Sequence, residues 1–345
     1  MYISMNWFIS SSLILLILVG CKKDSYDFGE IENNFTQVTI MTQEKVFDNF
    51  LHCAFTDLIH YNGNYFLAFR KGSDHGASRD GTVVILKSGD LKSWDKINEY
   101  RYLSHDLRDP KFFVDNSGHL LFSCVGFLYA KSDYLLDRSF LVFDLNSEGN
   151  GPLIKQNVGF WPWKIEKNNN SYYTIGYSTS KNIINLYEFS FMPSFRTLCN
   201  FNPLGTSLTE AVIKFYDNHA YIVVRSKENL YIGIIEDLND LCKINWKSFP
   251  IEDFGGPNFV KYKNTLLIAG RENIGKGNNA AYNRTVLLKY DIVSNELSRA
   301  AVLDSQGDTG YPGMLLNRDT LTMSYYSTTG EDKAAIYLSK VKINF

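Results

Sequence analysis

The chain has 345 residues, enough for one large all-β domain or two ordinary ones. Apolar residues make up 45% and charged residues 21%, a globular composition that excludes a disordered polymer. A formal net charge of -2 removes the electrostatic case for nucleic acid as a partner. Aromatics reach 15%, with 22 Tyr and 24 Phe, which suits strands and surfaces that stack on sugar rings.

The N-terminus reads as an address. "SSLILLILVGC" is apolar, too short for a comfortable membrane span, and followed at once by "KKDSYDFGE". It resembles a bacterial lipobox, although "MYISMNW" carries no Lys or Arg; the alternative is an ordinary secretory or anchor helix. Residues 1–21 are thus expected to be a lipoprotein signal peptide, with Cys21 lipidated, and 22–34 a linker. That places the protein in a bacterial cell envelope, held on a membrane by its lipid and facing outward. Four further cysteines, Cys53, Cys124, Cys199 and Cys242, allow three pairings, and buried free thiols are the default. They show no CxxC or Cys/His spacing, so neither a metal nor a cofactor is expected.

Beyond residue 25 no helical period is sustained, and short Val/Ile/Tyr/Phe runs alternate with Asn/Gly/Asp turns. Six hairpins share one form. They are "TDLIHYNGNYFLAFR", "RDPKFFVDNSGHLLFSCVG", "PWKIEKNNNSYYTIGYS", "TEAVIKFYDNHAYIVVRS", "GPNFVKYKNTLLIAGRE" and "YPGMLLNRDTLTMSYYS". Their last turn residues, Gly63, Gly118, Asn170, Asn218, Asn264 and Asp319, are spaced by 55, 52, 48, 46 and 55. A period near fifty with about four strands per unit is the signature of propeller blades. The sixth unit stops after its third strand, "AAIYLSKVKI", while "FTQVTIM" at 35–41 is a spare strand before the first. Pairing the two predicts an all-β, six-bladed propeller over 35–345, closed by the N-terminal strand.

In a propeller the first strand of each blade lines the central channel, and the residues that start those strands converge on one funnel. Here these are Thr56-Asp57, Arg108-Asp109, Trp161 and Trp163, Thr209-Glu210, Gly256-Pro257-Asn258 and Gly310-Tyr311. Seven residues past each turn marker stand Arg70, Val125, Tyr177, Arg225, Arg271 and Tyr326. Three arginines in one register point to an anionic ligand, or to structural ion pairs with the strand-start acids.

On these residues the chain resembles the sialidase superfamily of six-bladed propellers. "TEAVIKFYDNHAYIVVR" is similar to the segment with a glutamate ahead of a strand pair ending in an active-site arginine, here Glu210 and Arg225. "GPNFVKYKNTLLIAGR" resembles the segment supplying a further arginine, Arg271, and "GYPGMLLNRDTLTMSYY" the one carrying the catalytic tyrosine, Tyr311. "LKSGDLKSW" is a degenerate Asp-box turn, and the family's blade-1 arginine is replaced by "HCAFTDLI".

The resemblance implies an exo-acting glycosidase, a monomer that cleaves a terminal acidic sugar from a glycan. Tyr311 would be the nucleophile, Glu210 its base and Asp74 the general acid, with Asp80 an outsider for the last role. Arg70, Arg225 and Arg271 would clamp the anion, and Arg108, Asp57, Asp109, His75 and Trp163 would line the pocket. A base is needed because a phenol with an ordinary pKa near 10 is a poor nucleophile at neutral pH. A rival resemblance, to five-bladed furanosidases, would use Asp57, Asp109 and Glu210 as base, orienting acid and general acid. A surface glycan-binding lipoprotein without catalysis is the third possibility, with Trp161, Trp163 and Tyr177 stacking the sugar.

Overall fold

The computed structural model describes residues 33–76, 79–129, 135–146, 151–192, 194–201, 204–205, 207–275, 280–328 and 333–345. Cys21 and the signal and linker segments up to residue 32 lie outside them. The described chain folds into six four-stranded antiparallel sheets, each formed by consecutive strands except the last. Blade 1 comprises His52–Tyr61, Asn64–Gly72, Thr82–Ser88 and Asp95–Tyr100, and blade 2 comprises His105–Val114, Leu120–Tyr129, Leu135–Asp144 and Ile154–Asn157. In blade 3 the innermost strand is broken into Trp161–Pro162 and Glu166–Asn168, followed by Ser171–Ser178, Ile183–Ser190 and Ser194–Asn200. Blade 4 is Ala211–Tyr216, His219–Arg225, Leu230–Ile235 and Asn245–Phe249, and blade 5 is Gly255–Tyr262, Thr265–Asn273, Asn283–Asp291 and Leu297–Val302. Blade 6 holds Thr309–Asn317, Thr320–Ser327 and Ala335–Ile343, and takes its outer strand from Val38–Phe47.

The closing strand starts later and runs further than "FTQVTIM" suggested. Phe35–Gln37 forms a turn of 3-10 helix, and pairing runs from Val38 opposite Ile343 to Phe47 opposite Ile336. Middle strands such as "TVVILKS" are buried almost throughout because sheets pack on both faces, which suppresses the inside-outside alternation of a half-exposed strand. Aromatic layers fill the wedges between blades. Tyr100, Phe122 and Phe143 sit between blades 1 and 2, and Phe140, Phe189 and Phe195 between blades 2 and 3. Ser88 and Asp90 fold the Asp-box segment into a turn, with Asp90 accepting the Lys92 and Ser93 amides at 2.8 and 3.0 Å.

Two of the four cysteines are not free thiols. Cys199, on the outer strand of blade 3, is bonded to Cys242, just before the outer strand of blade 4, while Cys53 and Cys124 are buried and unbonded. The bridge closes a loop of 43 residues' separation and ties two neighbouring blades at their rim. Replacing both cysteines by Ser is expected to lower the unfolding free energy by about 3–4 kcal/mol. Denaturant unfolding measures it, and an unchanged midpoint with an unchanged slope would show the staple to be idle.

Candidate active site

Four inner strands begin with the same irregularity. Pairing with the second strand skips two residues between Ala54 and Asp57, Arg108 and Lys111, Gly255 and Asn258, and Gly310 and Gly313. The first skipped residue is left-handed each time: Phe55 (φ 61°), Asp109 (50°), Gly256 (61°) and Tyr311 (52°). For the three that are not glycine this is a strained backbone, of the kind that clusters at functional sites. Proline follows in three of the four, at Pro110, Pro257 and Pro312, a residue that sheets tolerate at bulges. These bulges bring Phe55, Asp109 and Tyr311 to one level at the mouth of the channel.

Tyr311 is fixed from both flanks. Thr56 Oγ1 donates to its carbonyl at 2.9 Å, and Asn258 Nδ2 donates to the Pro312 carbonyl at 2.9 Å. Its ring packs against Phe55, Trp163 and Tyr326 at centroid distances of 5.0, 5.9 and 6.0 Å. A Cβ on Gly256 would lie 2.4 Å from that ring, so only glycine lets the aromatic face lie on the blade 5 backbone.

Glu210, just ahead of blade 4's inner strand, meets the phenol. Tyr311 Oη donates to Glu210 Oε1 at 2.6 Å, while Oε2 accepts the Gly256 amide at 2.6 Å and faces Arg225 Nη1 at 2.6 Å. Arg225 Nη1 also reaches Tyr311 Oη at 3.4 Å, and the Arg271 guanidinium lies 5.9 Å from the ring centre. Burial pushes the phenol's pKa well up and Glu210 adds to this, while the two arginines oppose it. A phenolate therefore forms here only as its proton moves to Glu210, with Arg225 beside the developing charge.

The six residues seven past the turn markers do share one rung. Arg70 faces Ala54, Val125 faces Arg108, Tyr177 faces Trp161, Arg271 faces Gly255 and Tyr326 faces Gly310. Arg225 exchanges backbone bonds with Thr209 and Glu210. The side chains diverge, however, and the expected clamp of three arginines is not assembled. Arg70 is 0% exposed and bonds Asp106 Oδ1 at 2.8 Å and the Asp74 carbonyl at 2.8 Å. Arg108 takes the other oxygen of Asp106 at 2.7 Å and covers the Phe127 ring, so it too is engaged. Arg225 donates through Nε and Nη2 to Asp253 Oδ1 at 2.9 and 2.7 Å. Among the described residues, Arg271 meets a carboxylate at 3.8 Å, on Asp308.

Two other expectations change. Asp57 pairs one rung deeper than Asp109 and Tyr311, opposite Ala68. It accepts Lys164 Nζ and the Phe112 amide, both at 2.7 Å, while Lys111 Nζ and Lys214 Nζ nearby are bonded to the Thr56 and Phe259 carbonyls. Trp163 is 4% exposed and packs behind Tyr311 and under Lys111, so its face is not offered to a sugar. Trp161 is half-buried and stacked on Tyr177 at 5.9 Å.

Asp109 is buried at the funnel floor, and its Oδ1 has no hydrogen-bond partner. Burial raises its pKa to about 7, Lys111 pulls the other way, and Glu210 adds to the rise. The folded protein thus holds a proton that the unfolded chain has released, so stability falls as pH rises from the ordinary carboxyl range to about 7. Above that window the charged carboxylate destabilises the fold by roughly 2–4 kcal/mol. Asp109→Asn is expected to flatten the decline, so that its melting-temperature advantage grows from pH 4 to pH 8. A constant difference across that range would refute the assignment.

The turn after blade 1's second strand carries Asp74 and His75. Asp80 closes its base by accepting the Ser73 amide at 3.0 Å, and is thus occupied away from Tyr311. Asp74 is exposed, and its Oδ1 accepts the His75 amide at 2.6 Å. His75 Nδ1 contacts Asp308 Oδ2, the same oxygen that His52 Nε2 reaches at 2.7 Å. Asp308 Oδ1 accepts from Tyr326 Oη at 2.9 Å. The donor atoms of His52, His75 and Asp308 lie within 4.8 Å of one another. Both nitrogens nevertheless sit at hydrogen-bonding distance from one oxygen, closer than the roughly 3.3 Å between donors spread around a tetrahedral ion. The trio is a hydrogen-bonded cluster.

Two cavities flank the loop of Glu252 and Asp253. One of 410 Å³ is lined by Tyr177, Thr209, Glu210, Arg225 and Lys227, and one of 570 Å³ by Arg271, Asn273 and Asn283.

Neither a protein-family model nor a curated protein sequence matches the chain. Solved structures do. A Dyadobacter fermentans protein of unknown function is similar at TM-score 0.69 and 15% identity, covering 89% of this chain and 100% of that one. Trypanosoma rangeli sialidase, in complex with the inhibitor DANA, is similar at 0.62 and 12%, covering 84% of this chain and 55% of that one. Penicillium chrysogenum alpha-L-arabinanase, complexed with arabinobiose, is similar at 0.62 and 11%, covering 88% and 99%. The fold is thus a six-bladed β-propeller of the kind these glycoside hydrolases share.

Residues missed from sequence are Asp106, Asp253, Asp308 and His52. All lie in loops before inner strands or at a strand's first residues, outside the hairpins that carry the period. Asp106 alone had a local signal, two residues before Arg108 in "HDLRDP".

Proposed function

We infer that the protein is a glycoside hydrolase that removes a terminal sugar through a covalent intermediate on Tyr311. One observation carries the reading: the 2.6 Å bond from Tyr311 Oη to Glu210 within a buried, arginine-flanked funnel. A phenol next to a carboxylate base becomes a nucleophile whose neutral resting form does not repel an anionic sugar. Tyr311 is only 7% exposed, a seat that suits a sugar at the end of a glycan, and we read the action as exo. We assign an acidic sugar. Its carboxylate would meet Arg271 directly, and Arg225 once the exposed Asp253 side chain swings aside.

The furanosidase-like reading is less favoured because Asp57 is buried one rung below Tyr311, with Lys164 and the Phe112 amide both on its Oδ2. A purely sugar-binding role leaves the strain at Tyr311 and its paired base without a purpose. The N-terminal reading, a lipid on Cys21 and an outward-facing envelope protein, accords with a disulfide, which persists in oxidising compartments.

The test is intact-mass analysis after incubation with fluorinated glycosides of sialic acid, glucuronic acid and arabinofuranose. An adduct mapped to Tyr311 is expected for an acidic member. An adduct on Asp57 or Glu210, or turnover with no enzyme-bound species, would overturn the nucleophile.

A further inference from the structure

The proton that must reach the leaving oxygen has a better source than Asp74. Asp74 caps the turn that presents His75, through its carboxylate on the His75 amide. The His75 side chain is 47% exposed, and its ring meets Phe55 edge-on at 5.1 Å, one ring from Tyr311. Its Nδ1 is anchored on Asp308. Burial works against the charge on Asp308, but hydrogen bonds from His52 and His75 outweigh it and hold this carboxyl well below the usual range. With Nδ1 held on this carboxylate, Nε2 is the ring nitrogen left to exchange a proton with a ligand. His52 completes the arrangement from behind: its Nδ1 is buried with no hydrogen-bond partner among the described residues, which assigns its proton to Nε2, facing Asp308.

We propose that the His75 imidazole, oriented by Asp308, protonates the departing glycosidic oxygen and later deprotonates the attacking water. The proposal rests on the Tyr311 reading above. In the first half-reaction Tyr311 Oη bonds to the anomeric carbon, its proton passes to Glu210, the bond to the aglycone oxygen breaks, and that oxygen takes the Nε2 proton of His75. In the second, water gives a proton to Nε2 as its oxygen bonds to the anomeric carbon, the bond to Tyr311 breaks, and Glu210 returns the phenolic proton. Position favours His75 over Asp109, the carboxyl that burial keeps protonated. Asp109 is 5% exposed and level with the nucleophile, whereas the His75 side chain, 47% exposed, can meet an aglycone that departs towards solvent.

The experiment compares wild type, His75→Asn, His75→Gln, Asp74→Asn and Asp109→Asn on dinitrophenyl and methyl glycosides of N-acetylneuraminic and glucuronic acids. A dinitrophenolate departs without a proton, and a methoxide does not. Both His75 variants are expected to lose about 10²–10³-fold in kcat/KM on the methyl glycoside and under about fivefold on the dinitrophenyl one. Added imidazole is expected to restore part of the loss. Equal losses on both substrates, or the same split in Asp74→Asn or Asp109→Asn with His75→Asn near wild type, would overturn the proposal. Tyr311→Phe separates the two readings, because it must abolish both substrates. If it stays active while the His75 variants show the split, the nucleophile fails and the proton donor stands. No turnover of any glycoside overturns both.

Discussion

Tyr311→Phe is expected to reduce kcat by about 10³-fold or more, some 4 kcal/mol of barrier, while ligand affinity changes less than about threefold. The substitution removes one oxygen and nothing else. The Phe ring keeps its seat on the Gly256 backbone and against Phe55 and Trp163. Glu210 loses the bond to Oε1 but retains the Gly256 amide and Arg225 on Oε2, so the pocket survives. The loss should therefore fall on turnover alone, with a melting temperature close to wild type. Single-turnover kinetics on an aryl glycoside, together with calorimetric titration of an unreactive analogue, measures both quantities. Activity within tenfold of wild type would rule out the phenol as nucleophile.

Asp106→Ala should unfold the protein more readily by about 3–5 kcal/mol, the range for leaving a buried charge without its partner. Arg70 is fully buried and Asp106 holds it through Oδ1, while the second oxygen fixes Arg108. Space cannot absorb the loss, since Gly81 is packed so tightly that a Cβ there would overlap Asp106. The double change Arg70→Met with Asp106→Leu should recover most of the stability, because it removes both buried charges at once. Denaturant titration of the three variants decides it. A loss below about 1 kcal/mol in Asp106→Ala would mean that the Asp74 carbonyl and its neighbours suffice for Arg70.

The six blades, their closure and the shared rung of Arg70, Arg225 and Arg271 were legible because hairpin turns recur along the chain. The fate of each arginine was not, since it depends on acids from other segments: Asp106 for Arg70, Asp253 for Arg225, Asp308 for Arg271. Loops before inner strands follow no period, so nothing in the spacing marks their carboxylates. Asp57 was misplaced by a level for a related reason. Hairpin turns set the register at one end of a strand, and a two-residue bulge at the other end shifts it. The pairs Asp109-Pro110, Gly256-Pro257 and Tyr311-Pro312 mark that bulge, and aligning on them would have set Phe55, not Asp57, beside Tyr311.

Ring closure has a consequence in time. Tyr311 sits on the sixth blade in chain order, and that blade borrows its outer strand from residues 38–47, nearly three hundred positions earlier. The sheet cannot be completed until residues 335–343 have left the ribosome, and such distant pairing is slow. A chain that lacks residues 335–343 cannot complete the sheet that carries Tyr311.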